Sequence, residues 1–120
     1  MGKPTGFMDY KRQELSLRPC AERIQDWEEI KTSSLPHGEE LRCQAARCMD
    51  CGVPFCHWSC PLGNRPPEWQ DRLFKNDIAG AFALLSETNP FPEFTGRVCP
   101  ALCEKGCVLN KVKQPLTRDL

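Results

Sequence analysis

The apolar positions of this 120-residue chain fall into short helical stretches separated by polar and proline-rich breaks. Ile24, Trp27 and Ile30 recur at helical spacing with Glu22, Arg23, Asp26 and Glu28 between them, so residues 21–30 read as a short amphipathic helix. Leu41, Ala45 and Cys48 share one face of a second helix over 39–50, with Gly52 as its stop. Pro67 suits the start of a third, running to Lys75 with Trp69, Leu73 and Phe74. Asp77 has N-cap chemistry for a fourth, through about Glu87, whose buried side is expected to be Ile78, Ala81, Phe82 and Leu85. Residues 100–106 suit one or two further helical turns, while 1–19, 32–38, 51–67 and 89–96 read as irregular. No convincing run alternates with a period of two, so strands have little support and the expected fold class is all-α. Short helices around long loops make a thin core, and small domains of that kind rely on a metal, a disulfide or a partner. Trp27, Trp58, Trp69 and Phe91 are expected to fill that core, with interface anchoring as their alternative role.

Charge and length remove several classes. Sixteen Lys and Arg balance sixteen Asp and Glu, which argues against a nucleic-acid partner, since such proteins usually carry a basic excess. The longest fully apolar run is Ala81 to Leu85, far short of the roughly 20 residues a membrane helix needs. The opening MGKPTGFMDYKRQ lacks an apolar signal segment, and Gly6 stands where a myristoylation signal needs Ser or Thr. The expected compartment is therefore the reducing cytoplasm. Nine cysteines in such a compartment point to metal binding rather than a disulfide scaffold, and an odd number cannot all pair within one chain.

Seven of the nine form two compact groups, Cys48-x2-Cys51-x4-Cys56-x3-Cys60-Pro61 and Cys99-x3-Cys103-x3-Cys107, while Cys20 and Cys43 stand apart as small apolar residues. A four-iron cluster needs one ligand at each of four corners, and soft thiolates suit iron and sulfide. In two-cluster bacterial ferredoxins the cysteine before a proline ligates the other cluster, and Cys60-Pro61 has that character by analogy. Between residues 48 and 63 the only charge is Asp50, which leaves backbone N–H groups available to sulfur. Gly52, Gly63, Gly96 and Gly106 are expected either to permit close backbone approach or to mark turns. The competing metal is zinc: four of these thiols suit one tetrahedral ion, and seven with His57 suit two. His57 and His37 otherwise read as a local hydrogen-bonding residue and an exposed loop residue.

These residues resemble a known family. The segments AARCMDCGVPFCHWSCPLGNRPPEW at 45–69 and TNPFPEFTGRVCPALCEKGCV at 88–108 resemble the N-terminal iron–sulfur domain of NADPH-dependent glutamate synthase small subunits, a domain shared with dihydropyrimidine dehydrogenase. GKPTGFMDYKR at 2–12 looks like the start of the glutamate synthase subunit in particular. The resemblance implies a helical ferredoxin-like domain with two [4Fe–4S] clusters. It implies that Cys48, Cys51, Cys56 and Cys107 bind one cluster and Cys60, Cys99 and Cys103 the other. In the family a Gln or acidic side chain beyond the last cysteine completes the second site; Gln114 and Asp119 are the residues of that type here.

The resemblance also sets the expected division of the chain: an N-terminal extension over 1–35 and a two-cluster domain over 36–120. A flavin- and NADPH-binding region would follow, and no G-x-G-x-x-G occurs in these residues, so FAD and NADPH are expected only in that downstream region. The expected function is an electron relay from the flavin to a glutamate synthase large subunit or a similar partner. No side chain here is expected to do acid–base or nucleophilic chemistry, and the isolated piece is expected to be non-catalytic. The alternatives are a subunit-docking module, with a homo-oligomer among its forms, and a zinc-structured domain.

Overall fold

The computed structural model describes residues 2–13, 17–31 and 38–112, without the side chains of residues 111 and 112. Eight short helices lie among them: α1 (Gly6–Asp9), α2 (Cys20–Arg23), α3 (Glu39–Ala45), α4 (Phe55–Ser59), α5 (Pro66–Phe74), α6 (Ile78–Ser86), α7 (Pro92–Val98) and α8 (Leu102–Gly106), followed by a 3-10 turn at Val108–Val112. Among the described residues there is no strand, only an isolated antiparallel bridge between Leu17 and Lys31. The fold is all-α. The expected loop at 32–38 lies, but for Gly38, outside the described residues, as do His37, Gln114 and Asp119.

Local chemistry sets where the longest helices begin. Proline at the first turn starts α5, where the missing N–H costs no intrahelical bond. The Asp77 carboxylate accepts the N–H of Gly80 at 2.9 Å and caps α6. α5 packs on both α6 and α3, while α4 packs on α8. Arg42 ties α3 to the end of α5 by donating from Nε to the Phe74 carbonyl at 3.2 Å. Asn64 accepts the Thr88 hydroxyl at 2.6 Å, which closes the α5–α6 hairpin across its base.

The 21–30 stretch departs from its expected helix. α2 stops at Arg23, and Ile24 and Trp27 are left in solvent. Asp26 is drawn into a bidentate pair with Arg18, at 3.0 and 2.5 Å, and its carboxylate also accepts the Glu28 N–H. Those bonds close a loop, and a carboxylate engaged with nearby backbone competes with helix. α3 is likewise shorter than 39–50. It ends at Ala45, and i to i−3 bonds from Arg47 to Gln44 and from Cys48 to Ala45 tighten the exit. Short helices α4 and α7 occupy segments expected to be largely irregular.

The core is as thin as expected. Ala45, Ala46, Ala81 and Leu109 are buried in it, with Pro66 and Pro67, among the described residues. Trp58 and Phe91 lie exposed with Trp27, and Ile78 and Phe82 are exposed on α6, so the expected aromatic core is not formed. Phe91 instead stacks edge-on with Phe94 at 6.3 Å between ring centroids.

The N-terminal segment, expected to be irregular, carries α1 and docks on the residues before Cys48. Gln44 holds it by accepting the Gln13 N–H at 3.1 Å and donating to the Lys11 carbonyl at 3.0 Å. Gly6 is buried there, and a Cβ on it would lie 1.9 Å from the Ala46 carbonyl oxygen and 2.5 Å from its carbon. Gly6→Ala is therefore expected to release residues 2–13 from α3 at a cost of about 1–3 kcal/mol. The check is limited proteolysis with thermal melting; unchanged protection of this segment would contradict the packing.

Candidate metal centre

The cysteines sit at helix ends and tight turns. Cys48 and Cys51 follow α3 on a turn that passes through Asp50 at φ +50°. Cys56 is inside α4, and Cys60 ends it. Cys99 ends α7, Cys103 is inside α8 and Cys107 ends that helix. Ala101 takes φ +50° between Cys99 and Cys103, and its N–H points to the Cys99 sulfur at 3.4 Å. Non-glycine residues rarely take such a φ, so both turns are held there by their surroundings.

Packing of α4 against α8 brings the two cysteine groups together. Cys48, Cys51, Cys56, Cys103 and Cys107 line one cavity of about 30 Å³, walled by Met49, Pro54, Phe55, Pro66, Pro67 and Val108. The set expected for the first cluster, Cys48, Cys51, Cys56 and Cys107, thus faces a common space. Of the second set only Cys103 lines it; Cys60 and Cys99 do not. Gly106 allows this approach: a Cβ there would lie 2.0 Å from Ser59 Oγ, 2.8 Å from its Cβ and 3.0 Å from the Phe55 carbonyl. Gly52 and Gly63 have open space around them; Gly63, at φ +68°, serves a turn.

All nine cysteines carry free thiols. Burial pushes Cys56 up to about 12 and Cys48 up to about 11, with neighbouring thiols adding to the shift, and it raises Cys51 in the same direction. Backbone N–H groups of Asp50 and His57 partly oppose this at Cys48 and Cys56. Without metal the thiols therefore stay protonated at neutral pH. In the unfolded chain they ionise near pH 8.5, the ordinary thiol value. Above it the unfolded state binds fewer protons than the folded state, so stability is fully present below about pH 8.5 and is lost as pH rises toward about 11–12. Denaturant midpoints of the metal-free chain, measured without oxygen, are expected to fall from pH 8 to pH 10.5; a flat or rising midpoint would contradict the burial of these thiols.

Converging soft donors in an uncharged, apolar cavity suit an iron–sulfur core, whose positive charge would offset several thiolates at once. Among the described residues no three His, Cys, Asp or Glu side chains come close enough to hold a single metal ion. A lone tetrahedral zinc would draw its sulfurs to within about 4 Å of one another, whereas a multi-atom core holds them further apart. The residues thus fit a cluster in donor type. His57 stands outside the set, with Nε2 at 3.1 Å from Glu68 Oε2, as a local polar contact.

Sequence periodicity missed three residues beside the site. Arg47 is 0 % exposed, Glu104 is buried, and Arg12 meets Glu104 at 3.4 Å with both side chains about nine-tenths buried. Charged residues pattern as solvent-facing, so only their position next to the cysteines could have flagged them.

The comparisons agree with this chemistry. Residues 23–118 match the family model described as dihydropyrimidine dehydrogenase domain II, 4Fe-4S cluster. The chain is 48% identical over 118 residues to a glutamate synthase [NADPH] small chain of Mycobacterium tuberculosis, covering 98% of this chain and 24% of that protein. It is 47% identical over 119 residues to the Bacillus subtilis small chain, covering 91% of this chain and 24% of the relative. It is 44% identical over 118 residues to the glutamate synthase [NADH] of Schizosaccharomyces pombe, covering 97% of this chain and 6% of the relative. The chain spans about a quarter of the length of the small chains it matches. It belongs to the 4Fe-4S family of dihydropyrimidine dehydrogenase domain II.

Proposed function

From that membership we infer that the chain is an electron-transfer domain with two [4Fe–4S] clusters. Cys48, Cys51, Cys56 and Cys107 hold one, and Cys60, Cys99 and Cys103 hold three corners of the other. The observation that carries this reading is the common cavity of Cys48, Cys51, Cys56 and Cys107, with Cys103 also on its wall, which joins the two sequence groups. A bound cluster supplies one-electron transfer. The chain's own part is to hold the thiolates apart at fixed positions, to point backbone N–H groups at Cys48, Cys56 and Cys99, and to keep water away with Pro54, Pro66 and Pro67. No acid–base group is needed, because an electron moves without a bond changing.

Residues 36–120 would form the cluster domain and 1–35 its N-terminal extension, with α1 docked on it. The relatives' names support a place in a glutamate synthase, where electrons from NADPH and a flavin region would pass through this domain to a large subunit in the cytoplasm. No helix among the described residues is long and apolar enough to cross a membrane. Exposed Trp58, Val98 and the Phe91–Phe94 pair give a docking role something to stand on as a second reading. In the zinc alternative the protein would be colourless, with about two zinc ions.

Anaerobic reconstitution with iron and sulfide tests the first reading. The expected product is brown, holds about eight irons per chain and bleaches reversibly with dithionite. Zinc uptake with no iron, or iron that does not bleach, would sink it.

A further inference from the structure

Three charged side chains are buried on the segments that carry the cavity's cysteines or dock beside them. Arg47 is 0 % exposed and directly precedes Cys48. Glu104 is buried between Cys103 and Cys107, and its carbonyl accepts the Cys107 N–H at 3.0 Å. Arg12 comes from the docked N-terminal segment and reaches Glu104 with Nη2 at 3.4 Å from Oε1. Burial depresses Arg47, the Arg12 charge does so further, and Cys107 acts in the opposite sense. Removing charges from water is costly, so a thin core with two buried guanidiniums and a buried carboxylate spends stability on them. Their common location beside the thiols gives them a role that the fold alone does not require.

We propose that Arg47 and Glu104 are positioning residues of the redox centre: the permanent Arg47 charge raises the reduction potential of the cluster held by Cys48, Cys51, Cys56 and Cys107, Glu104 lowers it, and Arg12 holds Glu104 in place. The inference rests on the cluster assignment made under Proposed function. One electron enters from the reductant and no bond or proton moves. Four thiolates around a doubly positive core carry two net negative charges, and the electron makes three. A buried cation beside the ligands stabilises the more negative form and a buried anion opposes it, both far more strongly than in water. The same arrangement makes the N-terminal segment part of the electrostatic environment of the site.

The test is a potentiometric titration, followed by electron paramagnetic resonance, of the 120-residue chain and its Arg47→Gln, Arg47→Lys and Glu104→Gln variants, all reconstituted with iron and sulfide. At a fixed potential Arg47→Gln is expected to lower the reduced-to-oxidised ratio of one cluster about tenfold, about 59 mV for one electron. Arg47→Lys is expected to stay close to wild type, and Glu104→Gln to shift the same cluster the opposite way. In Arg47→Gln the other cluster's titration should not move. Shifts of the same sign in Arg47→Gln and Glu104→Gln, or no shift in either, overturn the proposal, because packing damage has no reason to change sign with charge. If Arg47→Gln takes up no cluster, Glu104→Gln decides alone: a raised potential supports the proposal and any other result overturns it. A wild-type chain that binds no cluster overturns the site assignment itself, and this inference with it.

Discussion

Cys51→Ser combined with Cys107→Ser is expected to leave about four of about eight irons per chain, whereas Cys51→Ser with Cys103→Ser should leave almost none. The reason is that Cys51 and Cys107 line one cavity although 56 positions of sequence number separate them, while Cys103, which lines it too, is assigned to the other cluster by the family resemblance. If each sequence group held its own cluster, Cys51 and Cys107 would belong to different sites, and losing both would empty the protein. The complementary pair sharpens the test. Cys51→Ser with Cys60→Ser is expected to remove both clusters in the interleaved arrangement and only one in the grouped arrangement. Iron and sulfide analysis with absorbance near 400 nm reads the result, and a surviving cluster in Cys51→Ser/Cys60→Ser would refute the assignment.

Gly106→Ala is expected to abolish assembly of the cluster at Cys48, Cys51, Cys56 and Cys107 and to destabilise the metal-free chain by about 1–3 kcal/mol. The added methyl would lie 2.8 Å from Ser59 Cβ and 3.0 Å from the Phe55 carbonyl oxygen. Neither atom can swing aside as the Ser59 hydroxyl can, so α8 has to retreat from α4. That retreat carries Cys103 and Cys107 away from Cys56. Adding Ser59→Gly removes two of the three clashes, so Gly106→Ala/Ser59→Gly is expected to recover part of the iron content and of the melting temperature. Coupling of this kind is what residues in direct contact show. Full cluster content in Gly106→Ala alone would mean that the close approach of α4 and α8 is not needed.

The contrast between Gly6 and Gly106 illustrates how little of this packing local sequence reports. Each touches backbone of a residue about 40 or more positions away, Ala46 in one case and Phe55 in the other. The sequence marks Gly106 as a place of close approach or a turn and Gly6 as neither, and it names the partner of neither. The stability of the fold depends on them because the apolar core is small: with four alanine and leucine side chains and two prolines buried among the described residues, close backbone contacts and the cysteine site carry a larger share. The exposure of Trp27, Trp58, Ile78 and Phe82 follows from the same shortage of core. A chain whose interior is committed to sulfur, proline and three buried charges has no space left for them.

The sequence alone determined the class of the protein. Its lack of convincing period-two alternation left strands little support, Asp77 and Pro67 marked helix starts, and seven closely spaced cysteines announced soft-metal chemistry. These features are local, and spacing within one or two turns is what periodicity and capping measure. The tertiary structure decided which cysteines meet, since only the packing of α4 on α8 carries Cys107 to Cys48, Cys51 and Cys56. It also decided that Arg12, Arg47 and Glu104 are interior and that an amphipathic pattern at 21–30 is a charge-closed loop. Hydrophobic patterning treats every charge as solvent-facing, and partners from distant segments, which offset the cost of burial, are visible only once the chain has folded.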